Sequence, residues 1–129
     1  MHKPLSPPGI HPPFAPYSHG IEIVSRSRLV FCSGQLGISP DAEIPPDCAG
    51  QARLCFDAIR AILAEAGMDL SHVVKLTTFV TGREHMQPYM QVRNELLGEP
   101  YPASTLIIVS GFSRPEFVVE VEAIAAAPG

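Results

Sequence analysis

Charge is scarce in this sequence. Only 17% of its 129 residues are Asp, Glu, Lys or Arg, and nine basic against thirteen acidic side chains leave a formal charge of −4. No run of basic residues gathers the positive charge that phosphate neutralisation demands, so nucleic acid is not expected as a partner. Cysteine is scarce too: Cys32, Cys48 and Cys55 make an odd count without a Cys-x-x-Cys pair, which argues against a disulfide framework and a structural zinc site. They read as small apolar residues in a reducing, cytoplasmic compartment. Long apolar runs are missing as well. The longest, Phe117 to Ala127, holds two glutamates and is too short to span a bilayer, so no membrane association is expected. Prolines at 4, 7, 8, 12 and 13 break what would otherwise be the apolar core of a secretory signal.

What is present is one domain's worth of chain, 13.9 kDa with 46% hydrophobic residues. A chain of this length buries roughly two-thirds of its unfolded surface, enough for a core without staples. Residues 1–13 form a proline-rich extension, expected to be extended and mobile until it docks, with structure beginning near Phe14 and a single domain over 14–129. Ile21–Val24 and Leu29–Cys32 read as two strands, and Ser25-Arg26-Ser27 between them suits a hairpin. Ser33 to Asp41, followed by Pro45 and Pro46, reads as a long loop whose glycines permit a close backbone approach.

Ala52, Cys55, Phe56, Ile59, Ile62, Leu63 and Ala66 recur at helical spacing, with Asp47 as N-cap and Gly67 as stop. Val73–Thr81 is an unbroken β-branched strand. Thr81 and Glu84 have capping-box spacing and open a second helix with an apolar face of Met86, Tyr89, Met90, Leu96 and Leu97. Thr105–Ser110 and Phe117–Ala126 supply the last strands. The order is β-β-α-β-α-β-β. Two helices cover one face of such a sheet, and the other face, also apolar in strands three and four, calls for a second copy of the chain.

Glu120 and Glu122 stand two apart on a strand, so both side chains leave the same face. A carboxylate buried there at an oligomer cleft is a usable general acid or base, whereas on a solvated edge strand the pair is ordinary surface. Tyr17, Ser18 and His19 place a phenol, a hydroxyl and an imidazole before the first strand, as either a ligand-binding cluster or a capping turn. His2, His11, His72 and His85 lack metal-ligand spacing, and no metal site is expected. Ser33-Gly34-Gln35 has no phosphate-loop lysine.

The segments A-P-Y-S-H-G (15–20), L-V-F-C-S-G-Q (29–35), A-I-R-A-I-L-A-E-A-G (58–67), V-V-K-L-T-T-F-V-T (73–81), P-A-S-T (102–105) and V-E-V-E-A-I-A (119–125) resemble, in order and spacing, the Rid (reactive intermediate deaminase, or YjgF) family. The resemblance runs from Phe14 to Ala125. It implies a chorismate-mutase-like α+β fold assembled as a homotrimer around a central barrel of sheets, with small-molecule clefts between subunits. It further implies cofactor-free hydrolysis of reactive enamines or imines to a keto acid and ammonia. Carried over by position, Glu120 is the water-directing glutamate with the Leu106 carbonyl as its partner, Tyr17 is the cleft tyrosine, and Ser33 and Gly34 line the pocket. Two positions depart from the pattern. Ser104 stands where deaminating members have a carboxylate-binding arginine, and Met90 where an asparagine is common. Loss of the arginine implies a changed substrate, an apolar one by this reading, or a non-catalytic ligand-binding role. Arg114 and His19 are the candidates for a replacement cation. The endoribonuclease activity attached to the family by name is disfavoured by the acidic balance.

Overall fold

The computed structural model describes residues 2–24 and 26–129. Eight principal elements follow in chain order: β1 (His2–Leu5), β2 (Gly20–Ile23), β3 (Ser27–Leu36), α1 (Cys48–Ala64), β4 (Val73–Val80), α2 (Met86–Leu96), β5 (Ala103–Ile108) and β6 (Val119–Pro128). Strands β3 to β6 form one sheet in the order β3-β6-β4-β5, in which only the β4–β5 pair is parallel. The α+β class read from the sequence holds.

Both helices lie where the periodicity places them. Asp47 caps α1 by accepting from the Gly50 backbone N–H at 3.3 Å, and beyond the helix Gly67 adopts φ +71°, which favours glycine. Cys55, Phe56, Ile59 and Leu63 of α1 are fully buried with Tyr89 of α2 and with Leu76, Val80, Val119 and Val121 of the sheet. One helical layer against one sheet face makes the core.

Five local expectations are corrected. Residues 33–36, expected in a loop, continue strand β3, because they keep pairing with β6 beyond the irregularity. β2 does not form a hairpin with β3: it pairs antiparallel with β1, while β3 pairs with β6. Of the turn expected between them, Ser25 lies outside the described residues. Regular structure begins at His2 rather than near Phe14, because extended proline-containing backbone (Pro4) pairs well along one edge of a two-stranded ribbon. The Thr81–Glu84 capping box is absent. A short 3₁₀ turn, Arg83–His85, precedes α2, with Gly82 at its N-cap and no side-chain cap bond. The fifth strand spans Ala103–Ile108 rather than 105–110.

The sheet face away from the helices alternates as strand geometry demands, but it is less apolar than expected. Leu29, Phe31 and Ile124 make one end greasy, and Phe31 is 69% exposed. Lys75, Thr77, Thr105, Glu122 and Glu120 put a polar band beside them, because register aligns Glu122 with Thr77 and Thr77 with Thr105.

Candidate functional site

The carboxylate cluster is organised by an irregularity in β3. Cys32 pairs with Ala123 and Gln35 with Val121, so Ser33 and Gly34 together occupy the space of one residue on β6. This β-bulge bends the strand toward its neighbour. Glu120 fills the resulting recess: a β-carbon at Gly34 would stand 2.7 Å from the Glu120 carboxyl carbon. The glycine is needed for close approach. Glu120 is half-buried, and no hydrogen bond or ion pair engages its carboxylate among the described residues. Because β6 lies between β3 and β4, the edge-strand alternative for Glu120 and Glu122 falls away. Ser33 and Glu122 line an open depression of about 240 Å³ with Phe31, Lys75, Thr77 and Ile124.

A second cluster forms at the opposite edge of the sheet. Ser18 bridges to Ala103 in parallel register, donates its backbone N–H to the Pro102 carbonyl at 3.0 Å and its hydroxyl to the Tyr101 carbonyl. This ties Tyr17, Ser18 and His19 to the segment bearing Ser104. The Tyr17 and His19 rings meet edge to face with centroids 6.1 Å apart, and His19 Nε2 contacts the His11 carbonyl at 2.7 Å. Met90 and Leu106 pack against the core between α2 and β5.

Arg93 belongs to this cluster, and the sequence reading missed it. It lies at an apolar position of α2, four residues after Tyr89, and is only 5% exposed. Its Nη1 donates to Ser104 Oγ at 3.2 Å, Nε and Nη2 donate to Asn94 Oδ1 at 3.4 and 3.3 Å, and its guanidinium carbon is 6.0 Å from the Tyr89 ring centroid. A charged residue in phase with an apolar stripe was the available signal. Arg114, by contrast, is exposed and stacks on Phe117 at 5.3 Å, with no hydrogen bond or ion pair to the Ser104 segment among the described residues.

One chain does not bring the two clusters together. Glu120 is on β6 and Leu106 on β5, with β4 between them, so their backbones are about 10 Å apart at normal strand spacing. The Leu106 carbonyl of the same chain therefore does not serve as the partner of Glu120. The cysteines are held protonated rather than reactive, although Cys32 lines the depression beside Ser33: burial pushes the Cys48 thiol up to about 11 and the Cys55 thiol up to about 12, with the Glu120 carboxylate adding to the latter, and raises that of Cys32. Among the described residues no three His, Cys, Asp or Glu side chains are grouped to hold a metal ion, and no helix is long and apolar enough to cross a membrane.

The family model described as Endoribonuclease L-PSP matches residues 10–127. TdcF of Escherichia coli K12, named as a proposed reactive intermediate deaminase, is 32% identical over 114 residues, covering 85% of each chain. The chain belongs to the Rid family. Another Rid relative in Escherichia coli K12, the RutC family protein YjgH, is 35% identical over 117 residues, 89% of this chain and 88% of that one. Among solved Rid structures, YyfB from Yersinia pestis superposes with a TM-score of 0.85 at 25% identity over 98% of both chains. The structure of E. coli TdcF with bound serine gives 0.72 at 29% identity, covering 97% of this chain and 98% of that one. The Rid fold matches across nearly the whole length.

Proposed function

We propose that the protein is a Rid-type deaminase, a homotrimer whose clefts between subunits hydrolyse a reactive imine or enamine, with Glu120 as the acid/base. Water adds to the C=N carbon, its two protons pass in turn through the Glu120 carboxylate to nitrogen, and the C–N bond of the resulting carbinolamine breaks to release ammonia and a keto product. No cofactor is required. The observation that carries this reading is the half-buried Glu120 carboxylate, seated on the Ser33–Gly34 bulge without an engaged partner among the described residues. The distance between the Glu120 and Ser104 clusters within one chain supports a site completed by a neighbouring copy, as does the exposed Phe31 face. Tyr17, His19, Met90 and Leu106 would then line the wall around Ser104.

The test is keto-acid formation from imines generated in situ by an amino-acid oxidase, measured above the uncatalysed rate across polar and apolar side chains. Glu120→Gln should lower the catalysed rate about 100-fold, the lower end of what a positioned acid/base contributes. A rate unaffected by that substitution would sink the assignment. Ser104 favours one other reading, a trimer that binds a small metabolite without turning it over, because a serine lacks an arginine's bidentate grip on a carboxylate. Ligand binding with no turnover of any imine would select it.

A further inference from the structure

We infer that Arg93 and Ser104 form one anion-receiving unit: the buried guanidinium stands behind the serine hydroxyl and turns its proton toward the carboxylate of a bound substrate. This rests on the proposed cleft in so far as Ser104 faces the ligand. The substrate class that follows is a carboxylate-bearing imine or keto acid, rather than the uncharged one that the missing arginine suggests by itself.

Three observations carry the inference. Arg93 is 95% buried, and among the described residues no carboxylate pairs with it; the neighbouring Glu95 is held by Arg53 at 2.8 Å. Its acceptors, Ser104 Oγ and Asn94 Oδ1, are neutral. A cation kept from water without a counter-charge is costly, and an arriving anion relieves that cost. Second, the geometry is directional. Ser104 Oγ accepts from Nη1 at 3.2 Å, so the hydroxyl's own proton remains for donation elsewhere, and a hydroxyl polarised by a cation is a stronger donor. Third, Ser104 is half-buried while Arg93 is covered, so the serine is the member that a ligand can touch.

The other cations nearby are occupied or turned away. The Lys75 ammonium donates to Thr105 Oγ1 at 2.6 Å, and Thr105 points to the opposite sheet face from Ser104. The ring of His19 contacts the His11 carbonyl, and Arg114 lies over Phe117. Arg93 is a positioning residue acting through Ser104. A single hydroxyl also takes up less of the cleft than a guanidinium fork, so the unit leaves more room for a bulky substrate side chain.

The experiment compares binding of pyruvate and pyruvamide, which differ only in the charged group, by calorimetry on the full chain. Wild type should prefer pyruvate by about tenfold, the worth of one charge-assisted bond. Ser104→Ala and Arg93→Met should both abolish that preference by weakening pyruvate binding about tenfold more than pyruvamide binding, and Arg93→Lys should keep part of it. No preference in wild type, or a preference that survives Ser104→Ala, overturns the proposal; the serine variant removes no core packing and so reads the unit even if Arg93→Met fails to fold. Glu120→Gln should keep the pyruvate preference while losing turnover, so failure of the hydrolase reading and failure of this one are told apart.

Discussion

Gly34 and Glu120 are set so close that any side chain at 34 must displace the carboxylate. The atoms in the way belong to the flexible end of a glutamate, so the fold can yield where the chemistry cannot. Gly34→Ala is therefore expected to change unfolding free energy by no more than about 1 kcal/mol while lowering imine turnover at least tenfold. Parallel urea titrations and rate assays would check both halves. Gly37 offers the contrast, since a β-carbon there would strike Gln51 at its own β-carbon and backbone. Gly37→Ala should cost about 2–3 kcal/mol, because helix α1 itself has to move. The buried thiols make a prediction with a definite sign. An ordinary thiol ionises near 9, whereas Cys48 and Cys55 are held up to about 11 and about 12 by burial, with Tyr89 likewise pushed up to about 12. Below pH 9 these groups are protonated in both states and favour neither. As pH rises past 9, the unfolded chain sheds protons that the native state retains, so stability falls toward pH 12. Thermal midpoints should decline over that range, and Cys55→Ala should flatten part of the decline.

Gln51 shows how a single side chain ties elements together. Fully buried on α1, its amide donates to the Pro45 and Glu116 carbonyls at 2.9 and 2.8 Å and accepts from the Val118 N–H at 2.9 Å. The loop ahead of α1 and the approach to β6 are both fastened to the helix by it. Replacing it with leucine strands all three backbone groups, and urea unfolding should register a loss of about 3 kcal/mol. Such a clasp also explains what the sequence could and could not disclose. α1 is legible because a buried face imposes its own period on the residues, β4 because its run of β-branched residues is unbroken, and Asp47 because a cap acts on its immediate neighbours. The β2–β3 hairpin expectation fails for the opposite reason: turn chemistry at Arg26 and Ser27 is local, but the partners of these strands, β1 and β6, are chosen by distant segments. Of the candidate site, Glu120 is singled out by the resemblance to the Rid family, since its apolar flanks leave an ordinary surface role open. Arg93 was overlooked because its significance depends on contact with Ser104, eleven residues on and on another element.

Taken as a body, the molecule has one well-covered sheet face and one that is not. Leu29 at 51% and Phe31 at 69% exposure share the open face with Glu120, and a second copy packed there is expected to reach toward the carboxylate. In solution the chain should run as three copies of 13.9 kDa by light scattering. Phe31→Glu should yield monomers that remain folded by circular dichroism yet bind no keto acid, because the proposed clefts would disappear with the proposed assembly.

The bulge at Ser33–Gly34 carries a last consequence. On either side of it the strand is in step with β6, so the surplus residue serves no purpose in the ladder. Deleting Gly34 should leave Cys32 opposite Ala123 and bring Gln35 into regular alternation opposite Val121. The shortened chain is expected to melt higher and to be catalytically dead, a trade of activity for order. The proposed site is in that sense a counting error that the sheet tolerates: one residue more than the ladder uses, kept where the Glu120 side chain sits.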